Sequence, residues 1–175
     1  MIDRTLTRIM LSFVAVFVVA FSVAGVAIAQ TDSLSDEMLD TIRARCSNSQ
    51  FALQQIEKRD AVSRINRGRA YDQMLRQLSA FNSRFAYNKI SSPDLLQYTT
   101  ELQDAVNAFR SSYDRYDTDI ANALKVNCKE KPSDYYAVIV KSREDRNTVG
   151  AQVRKIEELI GKYREAIVKY GEDLK

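Results

Sequence analysis

The sequence predicts an all-α fold, an elongated up-down-up three-helix bundle with coiled-coil-like seams. Three observations carry that expectation. The 175 residues hold only two prolines and five glycines, too few for a β-rich chain with many tight turns. Apolar residues recur at alternating steps of three and four along three long stretches. The polar, proline-marked connections at 88–92 and 127–132 are short, which makes successive helices antiparallel neighbours.

The N-terminal segment stands apart from these helices. Arg4 and Arg8 precede a nearly unbroken apolar run from Ile9 to Ala29. A basic start, an apolar run and the small-residue end Ala27-Ile28-Ala29 read as a secretory signal peptide. The run would also span about 30 Å as a helix, enough for an uncleaved membrane anchor. Residues 1–29 are therefore a signal peptide or an N-terminal transmembrane helix, and 30–175 the helical bundle domain. Under either reading Gln30 onward is exported, to the periplasm, the cell surface or the medium.

The first helix starts at Ser33 or Ser35, with Asp36 and Glu37 in the opening turn. Leu39, Ile42, Cys46, Ser49, Leu53 and Ile56 form its seam, which Asp60 and Ser63 interrupt. The stripe resumes, displaced by about one residue, through Ile65, Gly68, Tyr71, Leu75, Leu78, Phe81 and Phe85. A displaced seam beside Asn66-Arg67-Gly68 predicts a kink or break there. The second helix opens at Ser92-Pro93-Asp94, a capping hydroxyl, a preset φ and an early negative charge. Its stripe runs Leu95, Leu102, Val106, Phe109, Tyr113, Tyr116, Ile120 and Leu124, and it stops near Val126. The third opens at Pro132-Ser133-Asp134 and carries the longest seam, from Tyr135 to Leu174, broken only by Ser142 and Arg146.

Export makes Cys46 and Cys128, the only two cysteines, most simply one disulfide. The bridge would be worth on the order of 4 kcal/mol in the chain-entropy model. Ideal helices put Cys46 about 63 Å before the first turn and Cys128 about 53 Å after it. The excess must be absorbed at Gly68 or by an extended Asn127-Cys128. With the cysteines level, Asp60 and Arg146 reach the same height. They form a buried ion pair that sets register, line a polar pocket, or both reach solvent. Glu57 is a second partner for Arg146, one turn away.

Composition narrows the function classes. Histidine is absent, which removes the commonest general base and the commonest transition-metal ligand. Two thiolates alone lack the four ligands of a structural zinc. Setting aside Arg4, Arg8 and Asp3 of the leader leaves 24 Lys+Arg against 22 Asp+Glu, no steering field for nucleic acid. Six of the nine tyrosines (Tyr71, Tyr113, Tyr116, Tyr135, Tyr163 and Tyr170) fall on seams and read as core; Tyr87, Tyr98 and Tyr136 fall near helix ends. No catalytic or phosphate-binding motif is present, and no cofactor or metal is expected. The sequence reads as a non-enzymatic interaction, spacer or surface module of the cell envelope or extracellular space. A protein partner or self-association goes with that reading, and membrane contact through residues 9–29 if the leader is kept. The alternative is an anchored ligand-sensing or substrate-holding ectodomain with a cavity near Asp60, Ser142 and Arg146.

Overall fold

Each helix begins where the sequence supplies a reason to begin. The computed structural model describes residues 34–173; the leader assigned to 1–29 and Leu174 of the last seam lie outside them. The described residues form α1 (Asp36–Tyr87), α2 (Pro93–Lys125) and α3 (Pro132–Asp173), with no strand among them. Ser35 accepts a hydrogen bond from the Met38 amide at 3.3 Å, ahead of Asp36 and Glu37, which satisfies one of the orphan donors of the first turn. α2 starts on Pro93 and Asp94 alone. The Ser92 hydroxyl, expected as its cap, makes no capping bond, because Ser92 sits at φ −141°, ψ 60°, away from the extended cap geometry. α1 ends with Lys89 in the left-handed region (φ 59°) and Ile90 N–H returning to Phe85 O at 2.9 Å, a Schellman-type stop.

The expected disturbance at Gly68 takes a different form. α1 is continuous from Asp36 to Tyr87 and does not break there. Its buried positions are Cys46, Leu53 and Asp60, then Tyr71, Leu75 and Asn82. The step from Asp60 to Tyr71 matches a stutter, a roughly 11-residue repeat set between heptads, which unwinds a supercoil without ending the helix. The displaced stripe also held two misplacements. Ile65 is 48% exposed, and Asn82, not Phe81, faces the core.

α2 lies between the other two helices. It packs most extensively on α3 and less on α1, while α1 and α3 touch least. The main core joins Leu53, Tyr71, Leu102, Val106, Phe109 and Ile120 with Val149, Ile156 and Leu159. An aromatic ladder runs through it, with ring centroids 5.3 Å apart for Tyr71–Phe109, 5.7 Å for Phe109–Tyr113 and 5.6 Å for Tyr113–Tyr116, contacts worth about 0.5–1.5 kcal/mol each beyond their burial. Five of the six seam tyrosines are buried, Tyr71, Tyr113, Tyr116, Tyr135 and Tyr163, whereas Tyr87 is 87% exposed.

A second, smaller cluster closes the end away from the α1–α2 turn. Cys46 and Cys128 are bonded there, with Cα atoms 5.5 Å apart, beside buried Tyr135. Part of the height mismatch is taken up in the α2–α3 connection. Val126 leaves the helix in an extended conformation (φ −76°, ψ 126°). That extended residue advances the chain by about 3.3 Å instead of 1.5 Å before Cys128 opens a turn, and the 5.5 Å span of the bridge takes up further offset. Gln50 donates to Val126 O at 3.1 Å and Ser49 shares a 2.7 Å hydrogen bond with the Tyr135 hydroxyl, so polar groups at this end are paired as well.

Candidate functional site

Midway along the rod, where the α1 stutter begins, Asp60 meets Arg146. Arg146 Nε lies 3.1 Å from Asp60 Oδ2, and Nη2 lies 3.5 Å from Oδ1. Arg146 takes Asp60 as its partner, not Glu57. The pair differs from a buried ion pair in one respect: the Asp60 side chain is 11% exposed, but that of Arg146 is 51% exposed. A long guanidinium arm can lay its stem on apolar surface and keep part of its head wet, so only the carboxylate bears the cost of desolvation.

Asp60 is well supplied with donors. The Tyr116 hydroxyl donates to Oδ2 at 2.7 Å, Tyr113 donates to the Asp60 backbone carbonyl, and Arg59 Nε stands 3.6 Å from Oδ1. Tyr113 and Tyr116 come from consecutive turns of α2, which is why one residue of α1 can engage both. Burial pushes the Tyr113 hydroxyl up to about 12, with the Asp60 charge adding to it. Tyr116 is raised further, first by burial and then by its hydrogen bond to Asp60. Both hydroxyls therefore stay protonated and donating at neutral pH. Arg64 flanks the cluster, 5.6 Å over the Tyr113 ring and 2.6 Å from Asp117.

Two cavities adjoin this bridge in the groove between α1 and α3. One, of about 320 Å³, is lined by Asp60, Arg67, Phe109, Arg146, Val153 and Arg154 among others. The other, of about 270 Å³, lies toward the disulfide end and is lined by Leu53, Ile56, Ile120, Ile139, Ser142 and Arg146 among others. Tyr116 and Arg146 line both. Ser142, the other polar seam residue, is buried and donates to Val138 O of its own helix at 2.9 Å, so it satisfies itself without a cross-helix partner.

Two buried polar clusters escaped the sequence reading. Asn82 of α1 donates to Thr99 Oγ1 at 2.8 Å and accepts from the Tyr163 hydroxyl at 2.6 Å. This knots all three helices near the first turn. Its signal was an amide at the position the stutter shifts into the core, visible only once the stutter is known. The other is Asp119, buried between α2 and α3, with Lys141 bonded to it and Asp145 alongside. A hydrogen bond with Asp145 lowers Asp119 and raises Asp145, and Lys141 favours the charged form of both. The Lys141–Asp145 spacing of one helical turn was legible, but the cross-helix member was not. Among the described residues no three His, Cys, Asp or Glu side chains converge as a metal site, and no helix is long and apolar enough to cross a membrane.

Comparison with protein-family models, with curated proteins and with solved structures finds no match.

Proposed function

We propose that the chain is an exported, non-enzymatic interaction module that holds a small guest in the groove between α1 and α3. One observation carries this reading: cavities of about 320 and 270 Å³ flank Arg146, near the lower end of the ~300–1,000 Å³ usual for small-molecule sites. They combine apolar walls with a few converging polar groups, the composition such sites share. The leader supports export, and the two cysteines suit an oxidising compartment. The carboxylate at the centre is already held by Tyr116 and Arg146, which suits a fixed scaffold better than a proton-transferring group.

A plain spacer rod is the second reading. It is favoured by the closed polar accounting, since no buried side-chain nitrogen or oxygen among the described residues lacks a hydrogen-bond partner. Native mass spectrometry of protein taken from its own producing cells separates the two. A stoichiometric small molecule lost on denaturation is the expected outcome. Bare protein that also binds no member of a panel of organic anions, cations and neutral amphiphiles would leave the spacer.

A further inference from the structure

The larger cavity carries a charge imbalance that its own bundle does not resolve. Three guanidiniums, Arg67, Arg146 and Arg154, line it against one carboxylate, Asp60. That carboxylate is engaged by Tyr116 and Arg146. Arg67 and Arg154 form no ion pair among the described residues, so no carboxylate of the bundle answers them.

What sets these two apart from other arginines without an ion pair is that both line the same cavity. Arg67 follows Asp60 by two turns on the same side of α1 and stands exposed at the rim of the cavity. Arg154 lies one turn beyond Gly150, and its Nη1 would stand 3.5 Å from a Cβ built at that glycine. The missing side chain keeps the wall of the cavity low under the guanidinium. Beneath the arginines the wall is apolar, with Val153 half-buried and Val149 and Phe109 behind it. A neutral guest leaves the cationic rim unanswered, and a small hydrated anion leaves the floor unused.

We propose that this cavity binds an amphiphilic organic anion, an alkyl carboxylate whose headgroup lies between Arg67, Arg154 and Arg146 and whose chain lies against Val153 and Val149. This rests on the reading of the groove as a guest site and names the class of guest. Guanidiniums suit a carboxylate because their planar forks donate paired, charge-assisted hydrogen bonds, and the apolar floor rewards each methylene removed from water.

Titration calorimetry of the full exported chain with decanoate, below its micellar concentration, tests the assignment against decanol, acetate and decyltrimethylammonium. Decanoate is expected to saturate at one per chain, with decanol and acetate each weaker by about tenfold or more and the cation not binding. Arg67→Gln and Arg154→Gln, at exposed residues whose loss leaves the fold intact, should each weaken decanoate about tenfold and leave decanol unchanged. Arg76→Gln, remote from the cavity, should change neither. Decanol binding as well as decanoate, or Arg67 and Arg154 variants binding normally, overturns the anion assignment. If another guest then occupies the groove, the broader reading stands; if no guest of any charge binds, both fall.

Discussion

At the scale of single residues, the Asp60–Arg146 pair is where the energetics are decided. A fully buried pair would make Arg146→Ala cost about 3–5 kcal/mol. With half of the arginine in solvent and Tyr116 still donating to Asp60, the expected loss is nearer 1–2 kcal/mol. Chemical denaturation of Arg146→Ala, Asp60→Asn and the double variant gives the coupling; a value indistinguishable from zero would mean that proximity here contributes nothing. The neighbouring hydroxyls set a limit at the other end of the pH scale. Tyr113 and Tyr116 ionise less readily in the fold than in the unfolded chain, where tyrosine titrates near 10. Their stabilisation is thus complete below about pH 10; that of Tyr113 is lost as pH climbs through its folded value of about 12, and that of Tyr116 at higher pH still. Absorbance of tyrosinate and circular dichroism, followed together, should show Tyr113 ionising with unfolding, and Tyr113→Phe should flatten the alkaline loss.

At the scale of elements, helix boundaries were the most legible feature and the inward face of α1 the least. Ser35, Pro93 and Pro132 mark starts by short-range chemistry that needs no knowledge of neighbours. Facing depends on phase, and a stutter changes phase without leaving any breaker residue behind. That is why Ile65 was assigned inward and Asn82 was not noticed, and why Asp60 and Arg146 could be aligned by height but not assigned their unequal burial. Gly68 tests the account directly. It lies inside unbroken helix, and a Cβ added there meets nothing within 4 Å. Gly68→Ala should therefore stabilise by about 0.5–1 kcal/mol. A kinked hinge that needs glycine would instead lose stability, and thermal melts of the two proteins distinguish the outcomes.

At the scale of the whole molecule, the disulfide ties α1 to the end of α2 across 82 positions of sequence. Its reduction should remove about 4 kcal/mol and lower the melting temperature by roughly 10 °C or more. Helicity measured below the transition should persist, because the core of Phe109, Leu102 and Ile156 does not depend on the bridge. If the melt is the same with and without reductant, the bridge only decorates a bundle already closed by packing. The bond also decides where tension travels. A pull applied at residues 34 and 173 passes from Cys46 to Cys128 through sulfur and then along α3. The rest of α1, the first turn and all of α2 hang off that line as a closed ring that carries no load. Stretched to rupture, the oxidised rod pays out only its first turns and α3. The reduced rod yields about 280 Å more contour, at ~3.4 Å for each of the 82 residues the ring withholds. Redox state thus sets how far this protein can be drawn out before its backbone goes taut.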